Sequence, residues 1–190
     1  MRNAILIGVT LFLCSAFSRA QIPTSGNVFF GYSYFNTNAS GLNRVNTNGW
    51  EATVEGKVFP FIGIVADFDA HYGSQNIPIA VVPVGTCPTS GCPPLNFNES
   101  FTEHNFLFGP RVGVSVGKFR PFAEAMFGAA HLNSPQAGSD TSLATAVGGG
   151  LDYRLIRLVA WRIQGDYVHT RLFNTKQDNA RISTGIVVRF

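Results

Sequence analysis

The sequence lacks three features that would place it in familiar functional classes. After Ala20 it has no long uninterrupted apolar run, so the rest of the chain contains no segment that could cross a membrane as a helix. Its lysines and arginines are scattered singly and form no basic block, which excludes a nucleic-acid binder. Cysteine is scarce, and no further metal ligands of that kind lie near Cys87 or Cys92, so a metal site is not expected there.

The N-terminus has the pattern of a secretory signal peptide. An arginine precedes an apolar run over residues 4–17, and small residues predict cleavage between Ala20 and Gln21. The apolar run is too short to span a membrane as a helix. We therefore expect a signal peptide over residues 1–20 and a mature domain over residues 21–190, the alternative being a buried N-terminal helix. Cleavage would remove two arginines and no acid, lowering the formal net charge from +3 to about +1.

Export would place the chain in a compartment where cysteines can be oxidised. Cys87 and Cys92 lie in a turn-forming segment that contains Pro88 and Gly91, and such a segment can bring the two thiols together. We expect a disulfide between these two cysteines. Because the loop that it closes is short, its entropic contribution to stability would be small.

Most of the mature chain alternates apolar and polar residues with a period of two, which predicts β-strands. In the final segment Ile182 and Ile186 fall on one face, whereas Arg181 and Ser183 fall on the other. The predicted strands cover residues 27–35, 50–58, 62–71, 101–116, 119–130, 143–154, 159–171 and 179–190. We therefore predict an all-β fold: an eight-stranded antiparallel up-and-down transmembrane β-barrel in which the first strand pairs with the last.

The connections alternate between tight turns and longer polar loops, an asymmetry typical of outer-membrane barrels. Turns are predicted at residues 59–61, 117–118 and 155–158, and loops at residues 36–48, 72–100, 133–141 and 173–178. The longest loop, Tyr72–Ser100, is the best candidate for contact with a surface partner. Prolines exclude a strand across most of it, and they are Pro78, Pro83, Pro88, Pro93 and Pro94.

Several segments, in their order and spacing, resemble the OmpA-like outer membrane protein β-barrel domain family. They are Asn27–Tyr34, Gly49–Glu51 with Val65–Phe68, Phe106–Arg111 and Gly148–Asp152, and they extend over essentially the whole mature chain. The resemblance implies an eight-stranded barrel in a Gram-negative outer membrane, in contact with its lipid and lipopolysaccharide, and implies no single activity. The final strand, which ends on Phe190, resembles the insertion signal that the barrel-assembly machinery recognises. Because the chain ends at this strand, we expect no peptidoglycan-binding domain of the OmpA kind.

Charged residues fall on the inward face of the predicted strands. An eight-stranded barrel is only wide enough for side chains to fill its interior, so charges there must pair to be tolerated. We predict a lumen ion-pair network whose acids and bases nearly balance, and a balanced lumen favours a packed plug over an ion path. Its members are Glu51, Glu55, Lys57, Asp67, Asp69, Arg111, Glu124, Asp152, Arg154, Arg162, Asp166, Arg181 and Arg189.

We expect no catalytic, cofactor-binding or metal site. Asp67, Asp69 and His71 share one face of a strand, but neighbours on that face lie about 6–7 Å apart, too far for one metal ion. An Asp/His pair at the rim could activate water, as in surface proteases of the omptin type, although those are larger barrels. His104 and His131 lack the serine two residues further on that a lipid A deacylase of the PagL kind needs.

These patterns predict a monomeric outer-membrane barrel with a structural or surface-interaction role and no catalysis. One alternative is a small ion-conducting pore. Another is a soluble lipocalin-like periplasmic barrel, in which apolar side chains line a ligand cavity and charges face water. The aromatic turn at residues 59–61, the number of inward charges and the terminal Phe190 count against the soluble alternative.

Overall fold

The computed structural model describes residues 25–37, 44–79, 95–135 and 138–190, and within these it describes residues 75–79 and 95–99 by their backbone alone. The predicted signal peptide and the pair Cys87 and Cys92 therefore lie outside the described residues. Among the described residues, no helix is long and apolar enough to span a membrane.

The described chain forms a closed antiparallel sheet in which each strand pairs with its neighbours in sequence and β1 pairs with β8. The strands are β1 (Gly26–Thr37), β2 (Val45–Lys57), β3 (Ile62–Ile79), β4 (Leu95–Gly113), β5 (Phe119–Ser134), β6 (Gly138–Arg154), β7 (Val159–Thr170) and β8 (Gln177–Arg189). A short 3-10 turn over Leu172–Asn174 lies between β7 and β8. The predicted eight-stranded antiparallel barrel is confirmed.

The seam between β1 and β8 closes the barrel. Asn27 lies opposite Arg189 in the register of this pair. At the end of the seam the Gly26 amide donates to the Phe190 carbonyl oxygen at 2.9 Å, and the Phe190 amide donates to the Gly26 carbonyl oxygen at 3.1 Å. The sheet therefore has no free edge along this seam, as closure requires.

The barrel has two ends of different construction. At one, called the turn end here, lie the first residue of β1, the last of β8, and the tight connections over residues 58–61, 114–118 and 155–158. At the other, called the loop end, lie the remaining four connections. The connections at the loop end are longer than those at the turn end, as the sequence predicts, except between β5 and β6, where only residues 135–137 separate the two strands.

The two faces of the wall differ as the alternation predicts. Leu107 and Arg111 point inward and are fully buried, whereas Phe106 and Phe108 beside them are exposed on the outer surface. Other large apolar residues exposed outside include Phe30, Ile64, Phe127, Trp161, Ile163, Tyr167, Ile182 and Ile186. The wall is thus apolar outside, while most of its charged side chains point inward.

The hairpin of β3 and β4 is longer than predicted. The two strands stay paired as far as Ile79 opposite Leu95, so the prediction of a loop over the whole of 72–100 is wrong. Beyond Tyr72 this hairpin has no partner in β2. In such a two-stranded ladder some amides face a free edge, and Pro78 is therefore tolerated. The other prolines of the predicted loop lie outside the described residues.

Three further boundaries differ from the sequence prediction. The connection between β5 and β6 is shorter than 133–141, because Ser134 already pairs with Gly138, whose φ of +83° suits a tight turn. β8 begins at Gln177, inside the predicted loop 173–178. β4 ends at Gly113 because the next residue pairs with Pro121, which accepts a hydrogen bond but has no amide to return one.

The glycines at 148–150 lie in a crowded part of β6. A Cβ on Gly148 would lie 2.0 Å from Asp166 Oδ1 and 2.4 Å from the carbonyl oxygen of Gly165. A Cβ on either of the next two glycines would come within 2.4–2.5 Å of a carbonyl oxygen of an adjacent strand. The absence of side chains here therefore allows the strands and the buried carboxylate to approach closely.

We expect Gly148→Ala to destabilise the barrel by about 1–3 kcal/mol, because the new methyl group must displace backbone and a buried carboxylate. The matched control is Gly165→Ala, whose Cβ would meet nothing nearer than the Arg181 carbonyl oxygen at 3.9 Å. Urea titration followed by circular dichroism measures both. Equal midpoints for the two variants would contradict the crowding argument.

Candidate functional site

The candidate site is the charged interior of the barrel, and its part nearer the turn end is called here the lower network. Arg111 donates through Nε to Glu124 at 2.6 Å and through Nη1 to Glu55 at 3.2 Å. Arg120 donates through Nη2 to the other oxygen of Glu55 at 2.5 Å. Glu55 thus bridges two guanidinium groups, and Arg120 approaches Asp152 at 3.6 Å. The Glu55 carboxylate of β2 therefore connects to β4 and β5 across the lumen.

Arg162 completes the lower network. Its Nε and Nη2 donate to the two oxygens of Asp152 at 2.7 and 3.1 Å, a bidentate pair. Its guanidinium also lies 4.6 Å from the centroid of the Phe122 ring, and Arg111 lies 4.5 Å from the same centroid. The Phe122 ring therefore lies within cation–π distance of both guanidinium groups and attracts each of them.

Arg181 is the centre of a second cluster, called here the acid layer, nearer the loop end. Its guanidinium contacts four carboxylates, and all five side chains are buried. Nη2 lies 2.9 Å from both Asp67 and Asp166, Nη1 donates to Asp69, and Nε lies 3.6 Å from Glu51. Register explains part of this convergence, since Arg181 faces Asp166 across β7 and β8. One cation on β8 therefore holds carboxylates from three other strands.

A polar chain runs from the acid layer to the loop end. His71 lies 3.0 Å from Asp69 through Nδ1 and 2.9 Å from Ser33 Oγ through Nε2. The Ser33 and Ser183 hydroxyl oxygens lie 2.9 Å apart, and Ser183 donates its single proton to Glu51. These are the residue types of a hydrolytic triad, but every one of these side chains is buried. The alternative of an Asp/His pair that activates water at the rim is not supported, because His71 is fully buried, and Ser33 offers no exposed nucleophile.

An apolar cluster fills the lumen between this chain and the loop end. His71 stacks on Phe35 with ring centroids 4.7 Å apart. Its further members include Phe101, Leu107, Met126, Ala130, Leu132, Val168 and Leu172. Glu103 is fully buried in this region, opposite His71 on β3 and Leu132 on β5. Ion pairs and an apolar cluster together occupy successive levels of the interior, as the width of such a barrel requires.

The buried charges are less balanced than the sequence predicts. The buried acids are Glu51, Glu55, Asp67, Asp69, Glu103, Glu124, Asp152 and Asp166, whereas the buried arginines are Arg111, Arg120, Arg162 and Arg181. Arg154 lies at the end of β6, is exposed, and donates to the Gly117 carbonyl oxygen at 3.0 Å. Lys57 and Arg189 are part-buried at the turn end. These three basic residues reach solvent because they stand at strand ends, so their charge is not enclosed.

Two members of the interior were missed in the sequence, although alternation points to both. Arg120 has the same parity as Glu124 on β5, and Glu103 has the same parity as Leu107 and Arg111 on β4. Extending the period-two pattern to the strand ends would have placed both inside. Asn27 and Ser183, which donate to Glu55 and Glu51, follow the same pattern.

Asp67 and Asp69 share a lumen-facing side of β3 with His71, as predicted. They bind Arg181 and do not converge on a common vacant point. In the part of the chain that the structure describes, no group of three or more His, Cys, Asp or Glu side chains could hold a metal ion. The histidines His104 and His131 are not enclosed with these acids and lie opposite each other on the outer side of β4 and β5.

The described geometry defines a small, closed β-barrel whose interior is filled by side chains. It matches the crystal structure of Neisserial surface protein A with a TM-score of 0.65 and 13% identity, covering 87% of this chain and 97% of that one. It also matches Ail, the attachment invasion locus protein of Yersinia pestis, with a TM-score of 0.56 and 14% identity, covering 87% of this chain and 98% of that one. At such identities the likeness shows the fold alone. No family model and no curated protein sequence matches the chain.

We expect Arg181→Met to destabilise the barrel by about 3–5 kcal/mol, because it leaves four buried carboxylates without their shared cation. The control Arg157→Met removes an exposed arginine and should change stability by less than about 0.5 kcal/mol. Urea midpoints measure both.

Adding Asp67→Asn to Arg181→Met should recover part of the loss, because one of the uncompensated charges is removed. If Arg181→Met were as stable as the Arg157→Met control, the acid layer would not depend on this cation.

Proposed function

We propose that the chain is an outer-membrane β-barrel protein of a Gram-negative cell, with a structural or surface-interaction role and no catalytic activity. The observation that carries the proposal is the orientation of the two faces of the wall. Large apolar side chains are exposed around the outside, and paired charges fill the inside. A soluble monomer rarely exposes so much contiguous apolar surface, whereas a barrel in lipid requires it.

Aromatic residues near both ends of the outer wall support a membrane position. Phe119 and Tyr153 are in contact at the turn end, with ring centroids 5.1 Å apart, and Phe59 and Phe61 are exposed at the same end. Towards the loop end Tyr72 is exposed on the same surface. Such aromatic girdles occupy the two interfaces of a membrane barrel.

The filled interior favours this role over the two alternatives. A lipocalin-like binder needs an apolar cavity and a charged exterior, and the faces here are arranged the other way round. A pore needs an open path, but the lower network and the acid layer join opposite walls of the lumen at two levels. The barrel therefore acts as a rigid support for what its loop end presents.

The loop end would then face the cell exterior. We propose the β3–β4 hairpin and its connection as the contact for a surface partner, since this hairpin extends beyond its neighbours. The Ail protein, of the same fold, has been crystallised in complex with the heparin analogue sucrose octasulfate, so a barrel of this size can bind a partner molecule. A signal peptide over residues 1–20, a disulfide between Cys87 and Cys92, a monomeric state and membership of an OmpA-like family belong to the same proposal.

Fractionation tests the membrane assignment. The full chain, expressed with residues 1–20, should remain in the membrane pellet after a carbonate wash, because its outer wall is apolar. The extracted protein should migrate differently on a gel before and after boiling, since a closed barrel resists detergent unfolding. Release into the soluble periplasmic fraction without a mobility shift would overturn the proposal.

Removal of Phe190 tests the insertion signal. Phe190 is exposed on the outer wall and its backbone closes the seam with Gly26, so its deletion should lower the membrane-inserted, heat-modifiable fraction severalfold. The control Phe190→Tyr keeps an aromatic ring and the terminal hydrogen bonds, and should insert normally. Wild-type levels of the inserted barrel after the deletion would show that the last residue carries no such signal.

A further inference from the structure

A cleft of about 560 Å³ lies at the loop end, outside the interior described above. One wall is formed by residues 139–143 at the start of β6, and the other by Arg171, Phe173 and Asn174 of the connection between β7 and β8. A volume in this range suits a small ligand or one or two sugar rings. None of these residues belongs to the ion-pair network of the lumen.

The walls of the cleft are held together by hydrogen bonds. Asp140 accepts from the Thr141 amide through Oδ1 at 2.9 Å and from the Phe173 amide through Oδ2 at 2.5 Å. The Arg171 amide donates to Ser142 Oγ at 3.3 Å. These hydrogen bonds hold the two chain segments in place, and a preorganised cleft lowers the entropic cost of binding.

Phe173 has an unusual conformation for a bulky residue. Its φ of 51° and ψ of 39° lie in the left-handed region, where glycine is favoured and other side chains are strained. Its ring is nevertheless 40% exposed at the cleft and is not part of the apolar cluster of the lumen. Backbone strain of this kind is concentrated at ligand-binding positions, where the strained conformation is part of the function.

Arg171 supplies a cation whose charge is not neutralised. Among the described residues its guanidinium makes no hydrogen bond or ion pair, whereas both oxygens of Asp140 are occupied by amides. Ser139 and Asn174 add a hydroxyl and an amide to the lining. The cleft therefore combines an aromatic ring, a free guanidinium, neutral hydrogen-bonding groups and the Asp140 carboxylate, whose two oxygens already accept hydrogen bonds from backbone amides.

We propose that this cleft binds an acidic saccharide. A sugar ring packs its apolar C–H face on Phe173, its phosphate, sulfate or carboxylate pairs with Arg171, and its hydroxyls bond to the polar lining. The inference rests on the proposed function in one respect, because that function turns the loop end outward. The saccharide is either the head group of an outer-leaflet glycolipid or a free acidic polysaccharide.

Binding is measured on the full mature chain, purified in detergent micelles free of lipopolysaccharide, at about 150 mM salt to suppress weak surface attraction. The probes are a fluorescent heparin hexasaccharide and a neutral dextran oligosaccharide of equal length. We expect binding of the acidic probe only. Purified lipopolysaccharide that competes with the probe identifies the glycolipid source, and failure to compete identifies a free polysaccharide.

Two variants separate the proposed contacts. Arg171→Ala should weaken binding of the acidic probe at least tenfold. Phe173→Gly should weaken it severalfold while leaving the thermal midpoint unchanged or higher, because glycine adopts the left-handed conformation without strain. The control Lys176→Ala removes an exposed cation of the same connection that does not line the cleft, and should change affinity less than twofold.

Three outcomes would overturn the inference: no binding of the acidic probe, equal binding of both probes, or equal weakening by Arg171→Ala and Lys176→Ala. The last would mean general attraction of an anion to a basic surface. Because the assay uses purified protein, it is independent of fractionation. If the chain binds the acidic probe but is found in the soluble fraction, the inferred binding site is supported and the proposed outer-membrane role is contradicted.

Discussion

The width of the barrel constrains everything inside it. A closed sheet of eight strands leaves room for side chains but not for bulk water, so inward charges are tolerated best where they pair with a charge on another strand. Glu55 and Arg181 meet this need by bridging strands that are distant in sequence, and Asp152 pairs with arginines of the two neighbouring strands. The ion pairs therefore tie opposite walls together, and the same contacts that satisfy the charges also close the lumen.

As a consequence, the interior and the loop end differ in what they expose to solvent. Charge pairs, Phe122 and an apolar cluster fill the lumen, and the charged side chains of its described central part are buried. The features that remain accessible lie at the loop end, where the β3–β4 hairpin extends and Arg171 and Phe173 line a cleft. The proposed surface-interaction role agrees with both observations.

Period-two alternation made much of this fold predictable. It identified the strands, and it placed Leu107 and Arg111 inside and Phe106 outside. Boundaries were less predictable, because they depend on pairing partners. The β3–β4 hairpin remains paired past Pro78, although proline usually ends a strand. The connection between β5 and β6 is shorter than its polar sequence suggests, because Ser134 already pairs with Gly138.

What the sequence by itself determined is the inward or outward direction of each side chain, since that follows from parity along a strand. Only the tertiary structure decided which charges meet, because register and shear bring together residues such as Arg181 and Asp67 that are far apart in the chain. It also decided that Arg154 reaches solvent and that Arg171 and Phe173 line one cleft. Those placements depend on where strands end and how connections fold back, which local alternation does not encode.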